Sequence, residues 1–161
     1  MRSNIRNFTS RLFVIACVLM LGMTAFGQES SSLRVARVIN ETGLSFTKAA
    51  ENVWTVPYQG KSRKDIIVVA SITGDLVTLF SVVAAKKDLK PTPEMLQKLL
   101  KFNSDFDRVK VGIDKDGDVF VRVDLSIRVL DKDEMTVNVD QVAATSDEVF
   151  KGLKPNLAVA K

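Results

Sequence analysis

The sequence predicts an α+β domain, an antiparallel sheet flanked by helices in the order α-β-β-β(β)-α-β-β-α. Three observations carry that prediction. Val119, Val121, Val123, Leu125, Ile127 and Val129 alternate strictly with Phe120, Arg122, Asp124, Ser126 and Arg128. That period of two marks a strand with one buried face and one wet face. Between Leu44 and Ala84, β-branched apolar segments follow one another with only short polar turns between them. Three further stretches carry apolar residues at helical spacing, each preceded by capping residues. A length of 161 residues fits one domain, and 46% hydrophobic with 26% charged residues is an ordinary globular mix.

The chain opens on an address. Residues 1–11 hold Arg2, Arg6 and Arg11 and no acid; Leu12 to Leu21 is an unbroken apolar run that continues to Phe26. Ala25 and Gly27 stand three and one residues before Gln28. A basic n-region, an apolar core and small residues at the cleavage site are the parts of a signal peptide, expected over 1–27 and cleaved before Gln28. The apolar run falls short of the roughly 20 residues that span a bilayer, so no stable membrane insertion is expected after cleavage. The alternative is a lipoprotein, because Val14-Ile15-Ala16-Cys17 fits a lipobox. That reading leaves only Leu12 to Ala16 as hydrophobic core and puts a further apolar stretch after the acylated cysteine. Cleavage at Gln28 therefore implies a periplasmic or secreted protein.

The mature elements follow in order. Residues 28–31 form a polar leader, and the domain is expected over 32–154. Leu33, Ala36, Val38 and Ile39 share a helical face, with Gly43 placed to stop the helix, so a helix is expected over 32–42. Leu44 to Ala50 and Val53 to Gln59 read as two strands around a tight turn, with Pro57 marking an edge or a bulge because it lacks an N–H. Asp65 to Ile72 is almost continuously apolar and reads as a strand buried on both faces; Leu76 to Ala84 returns after Thr73-Gly74-Asp75. Thr92 and Pro93 open a second helix, with Met95, Leu96, Leu99, Leu100 and Phe102 as its apolar stripe. Val109 to Ile113, the turn Asp114 to Asp118 and the strand 119–129 form a hairpin. The last helix starts at Asp131 or Lys132, keeps Met135, Val139, Val142, Val149 and Leu153 on one seam and ends before Pro155, with Thr145 to Glu148 able to restart it as a capping box. Residues 155–161 read as a tail.

Composition excludes several chemistries. Without residues 1–27, Lys+Arg falls from 23 to 20 against 19 Asp+Glu, so the net charge of +4 becomes +1. A nucleic-acid binder is not expected from so little surplus. The chain has no His, and its one cysteine lies in the leader, so no imidazole base, thiol nucleophile or disulfide is expected in the mature protein. Asp114, Asp116 and Asp118 suggest calcium, but an EF-hand loop wants Gly at its sixth position and Glu at its twelfth. Counting from Asp114, Gly117 is fourth and Leu125 twelfth, so a hairpin turn is the better reading. Asp105, Asp107 and Asp124 add carboxylates, yet turns and a wet face offer no cleft to separate their pKa values. Gly60-Lys61-Ser62 lacks the upstream glycine of a phosphate loop. No catalytic residue, metal or cofactor is expected, and the protein is read as a non-enzyme.

Residues 93–129 carry a resemblance. A leucine-rich helix running into Leu99-Leu100-Lys101-Phe102-Asn103, a short strand, the Asp114 to Asp118 hairpin and the alternating strand resemble the centre of the YbjN family of bacterial sensory transduction regulators. The flanking helices match in order, and the resemblance covers about residues 32–154. It implies a fold similar to the small chaperones of type III secretion, helix-flanked sheets that often pair into dimers.

Two functional readings follow. One is an exported, non-catalytic protein-binding module, chaperone-like or regulatory, holding a protein or peptide or a second copy of itself. The other is a periplasmic small-molecule or lipid-binding domain with an apolar pocket behind the sheet. The candidate contact residues are Phe120, an apolar side chain on the wet face of its strand, its neighbour Arg122, and the aromatics Trp54 and Tyr58.

Overall fold

In the computed structural model, residues 30–158 are described; the expected signal peptide and Cys17 lie outside them. The first helix, α1 (Ser31–Thr42), starts where Leu33 N–H donates to Ser30 Oγ and stops where Gly43 takes a left-handed φ of 70°. Strands β1 (Thr47–Ala50), β2 (Val53–Tyr58), β3 (Ile66–Thr73) and β4 (Leu76–Ala84) follow. Then come α2 (Pro93–Asp105), β5 (Lys110–Ile113), β6 (Val119–Ser126) and α3 (Lys132–Leu153). Thr92 caps α2 and Asp131 caps α3, each accepting from the backbone N–H three residues on. The six strands form one antiparallel sheet in the order β1-β2-β3-β4-β6-β5.

The helices pack on one face of this sheet. α3 lies against β3, β4 and β6, α1 lies on α3, and α2 leans on β5 and α3. Between the layers sits one core, with Val35, Val38, Val68, Val77, Leu79, Val121, Val139, Val142 and Leu153 all buried. The space behind the sheet is thus occupied by side chains.

Several expectations need correction, and most share one cause. Asp65 to Ile72 is not buried on both faces: Ile66, Val68 and Ala70 are buried, whereas Ile67 is 46% exposed. No helix covers the second face of the sheet among the described residues, so even a β-branched run alternates. In α2, Met95 and Leu99 are buried but Leu96 and Leu100 face out, because the helix touches the body only along one narrow stripe. The alternating strand ends at Ser126: Ile127–Val129 turns into a 3-10 helix, and Val129 is exposed. There Ile127 N–H donates to Asp75 O, and the Arg34 guanidinium of α1 donates to the carbonyls of Arg128 and Leu130. The first strand begins at Thr47 and not Leu44. Pro57 lies in an internal strand, but β1 pairs only as far as Thr55, so the proline sits where β2 has become an edge. α3 runs unbroken through Thr145 to Glu148. Nor are residues 155–158 loose, for Ala158 N–H donates to Asp88 O and Leu157 bridges Leu89.

Candidate protein-contact surface

Register places the side chains of the uncovered face. Thr55 pairs with Val69, Val69 with Phe80, Phe80 with Arg122, and Arg122 with Lys110. Cross-strand partners point to the same side, so these residues form one row across five strands. A second, shorter row joins Val82 and Phe120 to Gly112: Val82 pairs with Phe120, and Phe120 with Gly112, while Ile67 lies on the same face of β3 beyond the end of its ladder with β4. The middle of the face is therefore apolar, with Ile67 and Val82 46% and 39% exposed. A shallow groove of about 360 Å³ runs over it between Phe80, Phe120, Thr78 and Arg122. A contiguous apolar patch of this kind on an uncovered sheet is a feature of binding surfaces.

Phe120 is half-buried, and Gly112 is the reason. The ring lies across the glycine, where a Cβ would stand 3.0 Å from Phe120 Cζ. A bare backbone on the outer strand gives the ring a flat seat and leaves its other side to solvent. No helix covers Phe120, since α3 packs on the opposite face.

Next to the aromatic centre is a charged knot. Asp124 accepts from Arg122 Nε at 2.8 Å, Lys110 Nζ at 2.9 Å and Thr78 Oγ1 at 2.9 Å. Burial alone would raise its pKa; the bonds from Arg122, Lys110 and Thr78, with the Arg122 charge, outweigh that and bring it down to about 2. Asp124 thus fixes Arg122 beside the groove while neutralising part of its charge.

The other two candidates lie on the covered side. Trp54 is 6% exposed and belongs to the core, so in this fold it presents no surface to a partner. Tyr58, partly buried, donates from its hydroxyl to Asp140 Oδ1 of α3 at 2.7 Å. Burial first, and then this bond, raise its pKa. Both aromatics join sheet to helices. Sequence reading missed Ile67, Phe80 and Val82; their signal is the phase of alternation in β3 and β4, legible only once the pairing with β6 is known.

The aspartate-rich turn is a hairpin, as expected. Asp114 accepts from the N–H groups of Asp116 and Asp118, Asp118 accepts from Lys86 N–H, and Gly117 takes a φ of 90°. The carboxylates of Asp114 and Asp118 are engaged in holding the turn, while that of Asp116 meets only the exposed Lys115 ammonium.

Residues 32–155 match the profile of YbjN, described as "Putative bacterial sensory transduction regulator". The chain belongs to the YbjN family. No curated protein sequence matches it. Among solved structures, E. coli YbjN is similar, with a TM-score of 0.55 at 12% identity over 77% of this chain and 92% of that one. A chain of the heterodimeric ExoU–SpcU complex from the type III secretion system of Pseudomonas aeruginosa has a TM-score of 0.55 at 17% identity, covering 74% of this chain and 98% of that one. The HopA1–SchA chaperone–effector complex gives 0.54 at 12% identity over 78% and 96%. At such identities the likeness establishes the fold. The YbjN resemblance carried by residues 93–129, the α+β architecture read from the elements along the chain and the chaperone-like fold that the resemblance implies all hold.

Proposed function

We propose that this YbjN-family chain is a non-catalytic, chaperone-like module that binds a protein partner through the uncovered face of its sheet and works outside the cytoplasm. The observation that carries the reading is the apolar group of Val69, Phe80, Val82 and Phe120, left without a covering layer beside the Arg122–Asp124 knot. A heterodimeric complex and a chaperone–effector complex among the structural neighbours support a protein as the occupant. Export rests on the basic and apolar leader, 1–27. The filled core speaks for this reading over a ligand pocket behind the sheet.

Phe120→Ser tests it. A half-exposed ring costs far less on removal than the roughly 3–5 kcal/mol of a buried one, so the melting temperature should move by only a few degrees. Association with the partner recovered from the native envelope, or with a second copy in sedimentation, should weaken at least about tenfold, about 1.4 kcal/mol. Unchanged association would remove the sheet face from the reading. N-terminal mass spectrometry of the native protein should give a start at Gln28; an acylated Cys17 would redirect it to a lipoprotein.

A further inference from the structure

The loop between β2 and β3 is tied to α3 at one point. Three successive backbone N–H groups, of Lys61, Ser62 and Arg63, converge on the Asp147 carboxylate at 2.8–3.0 Å. The turn closes on itself, Gly60 N–H donating to Arg63 O at 2.9 Å. Gly60 has to be glycine here, because a Cβ would stand 2.2 Å from Asp147 Oδ1. Such a run of N–H groups is a backbone nest for an anion, and its anion is a side chain of the same molecule. Asp147 is buried, yet the three N–H bonds hold its carboxyl below the usual carboxylate range.

A second catch is the side chain of Arg63 itself. The β3–β4 ladder ends at Val69 and Phe80, although both strands continue, and a bulge in β4 falls between Val82 and Ala84. The Arg63 guanidinium enters this split: Nη1 donates to Val82 O at 2.6 Å and Val83 O at 3.0 Å, and the group lies over the Phe150 ring. Arg63 thus bonds two β4 carbonyls beyond the point where the β3–β4 ladder ends.

The loop also divides two clefts. Gly60 and Lys61, with Asp140, Ala144 and Glu148 of α3, line one of about 310 Å³. Arg63, with Val82, Ala84, Phe150 and Leu157, lines another of about 630 Å³. On α3 the lining runs from Asp140 to Phe150, and Asp147 is the point at which the loop crosses.

We infer that residues 60–63 are a strap, latched by the Asp147 carboxylate and caught by Arg63, whose local release joins the two clefts into one groove along α3. The strap opens as a unit while sheet and helices stay folded. Its free energy of opening is set by one carboxylate and one guanidinium, because the loop adds little to the core beyond them.

Amide hydrogen exchange on Asp147→Ala tests this. The amides of Lys61, Ser62 and Arg63 should lose protection by about tenfold or more, while those of Val121 and Val139 change by less than about threefold. Acetate at high concentration should restore part of the protection at 61–63, because it refills the nest. Protection at 61–63 that survives the substitution overturns the strap, and so does an equal loss throughout the chain. Native-state exchange of the unsubstituted protein in low denaturant gives the same decision without a variant. The strap amides should exchange with no denaturant dependence while Val121 follows global unfolding; strap amides that follow global unfolding overturn the inference.

Discussion

Asn103 and Val111 are bound to each other twice: Val111 N–H donates to Asn103 Oδ1 at 2.8 Å, and Asn103 Nδ2 donates to Val111 O at 2.9 Å. A side-chain amide near the end of α2 thus serves β5 as a neighbouring strand would. It closes the outer edge of the sheet at the one end where α2 leans over it, and an open edge is a template for pairing with other chains. The opposite edge, β1, has all four residues exposed. The two ends of the sheet are therefore unlike.

Asn103→Ala should accordingly have two effects. Leaving a part-buried N–H and C=O without partners should cost about 1–3 kcal/mol, read as a lowered melting temperature. The freed edge should also raise self-association in sedimentation. Asn103→Asp, which can accept from Val111 N–H but cannot donate to its carbonyl, should fall between. A melting temperature unchanged in both variants would show that β5 needs no side-chain partner.

Val123 and Asp124 are neighbours on opposite faces of β6, and their substitutions should differ sharply. Val123 is buried in the core, so Val123→Asp puts an unpaired carboxylate there at a cost of several kcal/mol, a large part of the roughly 5–15 kcal/mol that holds a domain together. Asp124→Val removes the partner of Arg122 and Lys110 on the uncovered face and should cost about 1 kcal/mol. Equal melting temperatures would contradict a β6 register that turns Val123 inward and Asp124 outward.

Acid should expose the contribution of the same aspartate. Its folded pKa of about 2 lies below the ordinary 3.8, so its stabilising effect is full above about pH 4 and is lost as the pH falls through 4 towards 2. Solvent around the knot holds the effect to about 1 kcal/mol. In denaturant titrations at pH 6 and pH 2.5, Asp124→Asn should show a smaller loss between the two than the unsubstituted protein. Asp147, shifted in the same direction, adds to the acid sensitivity that remains.

The sequence by itself determined the elements and the family. Caps and stops were legible because they are local: Gly43, Thr92 with Pro93, and Asp131 act within four residues of the helix ends they set. The Asp114 to Asp118 turn and the inward face of β6 were legible for the same reason, each a matter of spacing along one segment. Tertiary structure alone decided which faces stay open. The reading of β3 as buried on both sides failed because apolar composition cannot report that every helix packs on one face. Phe120 owes its place to Gly112 of a neighbouring strand, and Trp54 was lost to the core by strand phase. Asp147, which spacing along α3 offered only as part of a capping box, became a latch because a loop more than 80 residues earlier brings three N–H groups to it. Such contacts join positions distant in the chain, and no local pattern encodes them.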